Sequence, residues 1–569
     1  MHREQHCDVL IVGGGLAGLS LAIQLARACP TLAIVILEKR QHPLPEATHK
    51  VGESTVEIGG HYYAEVVGMK QHLDAEQLSK PGLRFFFPAG DNSDITRRIE
   101  VGFSTWPKHP TYQLDRGRFE NALASEAARL GADFRDHTTV QHIELSPDGA
   151  HTVTAARDGE RARFSCRWLV DASGRTGVLK RKLQLARPLE HPVGAAWFRV
   201  RAPIDIDDMS DDPAWRGRTD KGLRRLCTNH LMGDGYWFWL IPLAGGSPAG
   251  SISFGIVAET NIHPFDTFNT QDKALAWLDR HEPQVARMIR GHEIADFHTL
   301  RRYAYGCQRV YAPERWALIG EAGTFHDPFY SPGSDSIYIA NMFAADMITR
   351  DHRGEDVAGR IETYNQVYLD IFDGMFEAFR DNYPMWGNAQ VMTMKIHYDY
   401  THYWGFTALL AWQGRLCDLA FMDSIRAPTE RLAGIYTRMQ ELLRAWNQRD
   451  RRPRKATYID QLSGDSVTYG FHRALSDEQT EDELRQRITR NVATAAGVAV
   501  AIFRQAVRCC YPEHAAQIES RPLNPLAISL DPSRWQADGL FDAERAIEPD
   551  ARVSAEIQRC VYELDTTPA

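Results

Sequence analysis

The chain of 569 residues lacks the features that mark several large functional classes. It has no excess of basic charge: 65 Lys and Arg stand against 74 Asp and Glu, a net charge of −9. A nucleic-acid surface draws its affinity from clustered cations on phosphate, so that partner is not expected. No run of about 20 apolar residues is present, and no transmembrane segment is expected. The nine cysteines are odd in number and no two are spaced C-x-x-C. Neither a disulfide framework nor a zinc knuckle follows. Histidine is plentiful, yet no H-E-x-x-H arrangement appears, so no protein-bound metal is expected. No internal repeat is visible. The residues before Cys7 lead straight into an apolar run with no room for a signal peptide, and a cytoplasmic protein is the expectation.

What is there reads as folded. A 43% hydrophobic and 24% charged composition is ordinary for globular domains, and the length suggests about three or four structural units. Near the N-terminus the apolar run Cys7–Val12 meets Gly13-Gly14-Gly15-Leu16-Ala17-Gly18. A segment of helical periodicity, Leu19–Ala28, and a second apolar run, Leu32–Leu37, follow and end in Glu38. Each part has a physical job. Gly13 permits the tight turn, Gly15 lets the backbone approach a pyrophosphate, and Gly18 lets helix and strand pack closely. The helix N-terminus offers unpaired N–H groups to the phosphates, and Glu38 can accept from ribose hydroxyls. Strand, glycine turn, helix, strand and acid together read as a dinucleotide site.

Three later segments resemble the signatures of the flavoprotein group that includes aromatic hydroxylases: Tyr112–Leu123, Trp168–Gly174 and Trp316–Gly323. The resemblance implies FAD, with Arg116 close to the cofactor and Glu321 on its ribityl chain, where Asp is commoner.

Four further motifs narrow this. Gly235–Pro242 contains W-x-W-x-I-P, and strand alternation sends Trp237, Trp239 and Ile241 to one face. Val51-Gly52-Glu53-Ser54-Thr55, Lys80 at the entry to an aromatic strand, and Asp327-Pro328-Phe329-Tyr330-Ser331-Pro332-Gly333 complete the set. With the glycine turn, they make residues 7 to about 350 similar to the flavin-dependent halogenases.

That resemblance implies a chemistry and a set of roles. A separate flavin reductase supplies reduced FAD, which with O2 oxidises halide to hypohalous acid. This species travels to Lys80, the catalytic residue, and is delivered to an electron-rich aromatic carbon. Ser54 and Asp327 contact the cofactor, Ser331 and Gly333 form the halide and flavin loop, and Trp237 and Trp239 wall the flavin from organic substrate. Two positions depart from the pattern. Tyr330 stands where tryptophan halogenases carry a glutamate, so a phenolic or pyrrolic substrate, free or carrier-tethered, fits better than tryptophan. Pro332 has no N–H where backbone amides help bind halide. Another donor, a preference for bromide, and no halide binding at all are the open consequences.

Beyond about residue 335 the chain reads as helical. Ile339–Thr349 and Gly359–Arg380 have apolar spacings of three and four, and Ser476-Asp477-Glu478-Gln479 matches a capping box for a helix running to about Arg508. The apolar stretch Ala493–Phe503 reads as a buried helix, and the basic Gln448–Lys455 as a solvated linker. The aromatic stretch His397–Trp412 reads as core or as the lining of a pocket for a flat substrate.

The expected architecture is α/β. A doubly wound, Rossmann-like FAD-binding domain spans 1–190 and 300–355, with 80–115 contributing to the substrate region. A β-sheet substrate region spans 191–299, and a mainly helical region 356–569. Rival readings are an FAD monooxygenase or isoprenoid-type flavin reductase, whose strands carry a similar tryptophan motif, and a non-catalytic flavin-bearing interaction protein.

Overall fold

The strand Gln5–Val12 has no exposed face from Val9 onward, which suits it to the middle of a parallel sheet. In the computed structural model, which describes residues 4–46, 50–147, 150–245, 250–461 and 466–565, it lies there. Parallel neighbours flank it: Ile34–Leu37 on one side and Glu160–Asp171 on the other, followed outward by Trp316–Leu318. Asp133–Arg135 extends the far edge, and the hairpin Thr139–Glu144/His151–Arg157 pairs onto the long strand Glu160–Asp171. The helices Leu16–Ala28 and Gly333–His352 pack together against this sheet. This is the doubly wound FAD-binding architecture that the glycine turn implies.

A second sheet of eight strands runs in the order Ile294–Leu300, Val193–Val200, Ser251–Glu259, Tyr236–Leu243, Thr228–Gly233, Leu83–Phe86, Glu100–Gly102 and Tyr458–Asp460. One face carries Phe86, Phe198, Leu231, Phe238 and Phe254 into a separate core under the helices Gln271–His281 and Pro283–Ile289. The opposite face carries Phe85, Thr228, His230, Trp237 and Trp239 towards the first sheet. Period-two alternation thus decides which residues can reach a site between the sheets.

The remaining chain is mainly helical, with one departure: Tyr458–Asp460 adds a short parallel strand to the second sheet. The long helix starts later than expected. Ser476 turns its hydroxyl to His109, and Thr480 forms the box instead, exchanging bonds with Glu483 before the helix Glu481–Cys510. That helix is long and apolar enough by composition to cross a membrane, but 78% of its apolar window is buried inside the protein. The basic linker is largely solvent-exposed, as expected, with its charges paired. Arg452 and Arg454 pair with Asp450, Arg451 with Asp234, and Lys455 with Glu563.

Candidate active site

A cavity of about 700 Å³ lies between the sheets, and its walls come from the motifs singled out in the sequence. Gly13, Gly15, Glu38, Arg116 and Glu321 line one part, and Ser54, Thr228, His230, Trp237 and Trp239 another. Gly13 has φ 112, and a Cβ there would meet the Ala172 carbonyl at 2.4 Å. A Cβ on Gly18 would meet the Gly13 carbonyl at 2.1 Å, so helix and turn touch backbone to backbone. Gly15 caps the helix Leu16–Ala28 with no side-chain partner, leaving first-turn N–H groups facing the cavity.

Glu38 is already engaged. Its carboxylate accepts from Gly14 N–H at 2.7 Å and Arg40 N–H at 2.8 Å, which fixes it at the cavity wall with lone pairs to spare. Asp115 caps the helix Arg116–Arg129, as the Asp-Arg dipeptide suggests, and Arg116 donates to the Val51 carbonyl and to Glu120 Oε1. Glu120, absent from the sequence reading, also pairs with Lys50. Glu321 is about one-third exposed at the cavity mouth, 3.7 Å from Arg175. A glycine cradle at a helix N-terminus, an acid for ribose and a second acid near the mouth fit FAD. When bound, FAD supplies the redox chemistry with O2, and the protein supplies the compartments.

Lys80 ends the strand Leu78–Lys80, which pairs with Thr111–Gln113, and it is fully buried rather than on a surface turn. It does not line the cavity. Its Nζ donates to Ser54 Oγ at 2.8 Å and to the Thr55 carbonyl. Ser54 Oγ also accepts from Ser331 Oγ at 3.0 Å, and its own hydrogen is free for Thr228 Oγ1 at 2.8 Å. Three hydroxyls on the cavity wall therefore separate Lys80 from the flavin space. Burial pulls the Lys80 ammonium down to about 8, against the charges of Glu57, Cys227 and Asp335. Burial also lifts the Asp335 carboxyl to about 7, although Tyr403 OH and Gly59 N–H donate to it.

Trp237, Trp239 and Ile241 all line the cavity, and the two indole rings lie 5.6 Å apart. The Asp327 carboxylate has a structural task besides the one the resemblance implies. It is turned inward and accepts from His191 Nε2, Tyr303 OH and Tyr383 OH, each at 2.8 Å, and from Phe329 N–H at 2.9 Å. These four bonds anchor the loop, and the residue lines the cavity. Ser331 lines the cavity, while its backbone N–H donates to the Pro328 carbonyl at 2.9 Å, which leaves the hydroxyl as its polar group there. Gly333 and Ser334, in the first turn of Gly333–His352, line the cavity where helix N–H groups have no intrahelical partner, an arrangement that suits an anion. Tyr330 OH is bound to Asp399 at 3.0 Å. No cluster of metal-ligating side chains occurs among the described residues.

Comparison with known proteins agrees with this geometry. A sequence profile for an FAD binding domain matches residues 6–245. The flavin-dependent halogenase chlA of Dictyostelium discoideum is 26% identical over 438 residues, 71% of this chain and 70% of its own. The tetracycline 7-halogenase of Kitasatospora aureofaciens is 26% identical over 426 residues, 68% of this chain and 73% of its own. In fold, the crystal structure of halogenase PltM in complex with phloroglucinol and FAD superposes with a TM-score of 0.62 at 17% identity, covering 90% of this chain and 98% of that one. Glycine cradle, tryptophan wall, buried lysine and relatives converge: the chain carries an FAD binding domain and is similar to the flavin-dependent halogenases.

Proposed function

We propose that this FAD-dependent halogenase acts on an electron-rich phenolic or pyrrolic ring, free or carrier-tethered, with FAD reduced by a separate flavin reductase in the cytoplasm. The observation that carries the reading is the position of Lys80. Its ammonium is fully buried behind the row of hydroxyls of Ser54, Ser331 and Thr228 on the cavity wall. A small neutral oxidant can pass a row of hydroxyls and meet a polarising N–H donor, whereas an aromatic substrate is held off the flavin by Trp237 and Trp239. Tyr330 supports the substrate class. Its hydroxyl is committed to Asp399, so this loop offers no free carboxylate to take a ring proton. A ring activated by its own hydroxyl or nitrogen needs none. The names of two similar proteins, one acting on tetracycline and one bound to phloroglucinol, support a phenol.

The test uses the full chain with FAD, a flavin reductase, NADH, O2 and chloride or bromide, offered phenols, pyrroles and indoles, with products read by mass spectrometry. Halogenated phenol or pyrrole is expected, lost in Lys80→Ala while NADH-driven O2 consumption continues. Oxygenated product, indifferent to halide and to Lys80, would instead favour a monooxygenase.

A further inference from the structure

His230 lines the cavity beside Trp237, and nothing above gives it a task. It sits mid-strand in Thr228–Gly233, opposite Phe85 on one neighbouring strand and Trp239 on the other. Its ring stacks on Phe85 at 4.8 Å and 22°, lies 5.2 Å from Trp237 and meets Phe329 edge-on at 5.5 Å. Three aromatic neighbours leave it no freedom to turn. Burial drives its pKa down to about 3 against the pull of the Arg84 and Thr228 carbonyls, with the Lys80 charge pushing the same way as burial. The ring is therefore neutral at any working pH.

The tautomer follows from the partner. Nδ1 lies 3.1 Å from the Arg84 carbonyl, which can only accept, so Nδ1 carries the proton. Nε2 then holds a lone pair, and no donor to it occurs among the described residues. His230 lines the cavity, and in an aromatic cage a small guest there can supply the donor that Nε2 lacks. A lone pair repels an anion, so Nε2 is no seat for halide; the halide belongs with the N–H groups at Gly333 and Ser334. What Nε2 fits is an O–H.

We propose that His230 is a further residue of the reaction path: its Nε2 accepts a hydrogen bond from the O–H of the hypohalous oxidant as that molecule passes from the cavity to Lys80. This rests on the halogenase reading above. The arrangement is complementary. Lys80 donates to the oxidant's oxygen and His230 accepts its hydrogen, so the halogen end is left pointing away from both. No bond is made or broken at His230, and a water satisfies the same acceptor between turnovers.

Two measurements test this, one independent of turnover. In the FAD-loaded full chain labelled with ¹⁵N-histidine, with the His230→Phe variant identifying the signal, the His230 ring is expected neutral with Nε2 unprotonated from pH 5 to 9. A protonated Nε2 or an imidazolium would overturn the proposal. In turnover, the readout is the ratio of halogenated phenol to oxidant captured by a soluble β-diketone scavenger. His230→Phe keeps the aromatic cage and is expected to shift that ratio two- to tenfold towards the scavenger, about the worth of one hydrogen bond. His230→Gln, whose amide oxygen can accept, is expected to recover part of the loss. Equal ratios in wild type and His230→Phe, with FAD binding intact, would sink the proposal while leaving the halogenase reading untouched. If the wild type halogenates nothing, that reading fails instead, and the tautomer measurement alone decides whether His230 is the acceptor.

Discussion

Trp237 and Asp327 meet through a single hydroxyl. Trp237 Nε1 lies 3.1 Å from Tyr383 OH, which donates to Asp327 Oδ2 at 2.8 Å. The wall of the cavity and the loop proposed to hold halide are thus fastened to one residue of the C-terminal region. Burial works to raise the Asp327 carboxyl, but the hydrogen bond and charge of His191, the Phe329 N–H and Tyr383 hold it below the ordinary range. It is an ionised anchor on which three side chains and one amide converge.

Tyr383→Phe is accordingly expected to cost more than one ordinary bond. It strands the buried Trp237 N–H and removes a donor from a buried carboxylate, about 1–3 kcal/mol in all by urea unfolding. Product formation is expected to fall more than FAD affinity, because Tyr383 touches the wall and the loop but not the glycine cradle. Unchanged product yield per NADH would show that the wall needs no fastening.

Lys80 sets a pH limit. Its folded pKa of about 8 lies below the ordinary lysine value, so the buried ammonium carries its full desolvation cost below pH 8. Between about pH 8 and 10.4 the unfolded chain holds the extra proton, and this group's contribution to stability improves as pH rises. The ammonium has three N–H donors, and with two given to Ser54 and the Thr55 carbonyl one remains for an oxidant, so the ammonium is the expected working form. Halogenation is therefore expected to decline above about pH 8, with O2 consumption less affected. Asp335→Asn removes a charge that supports the ammonium and is expected to move that decline to lower pH. A rate that climbs through pH 8 would assign the work to the free amine.

How much of this was legible depended on how local each signal is. The glycine turn, the Asp115 cap and the alternation of Trp237, Trp239 and Ile241 need only neighbouring residues, and all lie where the spacing puts them. The inward role of Asp327 was hidden because its partners lie at His191, Tyr303 and Tyr383, far along the chain. His230 gave a signal only as the same-face neighbour of Thr228 on a strand, which means nothing until the facing sheet is known. The capping box shows the same limit. Ser476 and Thr480 both fit the pattern, and His109, some 367 residues from Ser476, draws one of them away.

Pro332 makes a prediction with a definite sign. It caps Gly333–His352 with φ −78 and ψ 0, offering neither an N–H nor a side-chain cap, beside the two remaining amide donors. That backbone suits serine equally well. Pro332→Ser restores the missing donor, so the KM for halide is expected to drop by up to about a hundredfold, the upper end of one donor to a buried anion at 1–3 kcal/mol. The new hydroxyl can also cap the helix and raise stability by about 1 kcal/mol. A stability gain with no change in halide KM would place the halide away from this helix.

The loop before Pro332 is held from a distance. Tyr330 and Ser331 adopt φ of 70 and 59, a left-handed pair that costs about 1–2 kcal/mol per residue away from glycine. Something must hold them there. Ser331 N–H is tied to Pro328, and Tyr330 OH reaches Asp399 in the helix Ala389–His402. Asp399 also receives Lys395 at 2.7 Å, Tyr436 OH at 3.0 Å and Gln440 at 3.2 Å, in a cluster closed to solvent around a fully buried lysine. Tyr330→Phe is expected to loosen the loop without unfolding the cluster, raising halide KM two- to tenfold while FAD affinity is unchanged, the worth of one hydrogen bond. Asp399→Leu differs in kind. It leaves the Lys395 charge buried and unpaired, and about 3–5 kcal/mol of destabilisation is expected, partly recovered in Asp399→Leu/Lys395→Met. If Tyr330→Phe leaves halide KM alone while the double variant folds and halogenates normally, the C-terminal helices only cover the site. The opposite result makes them part of its geometry.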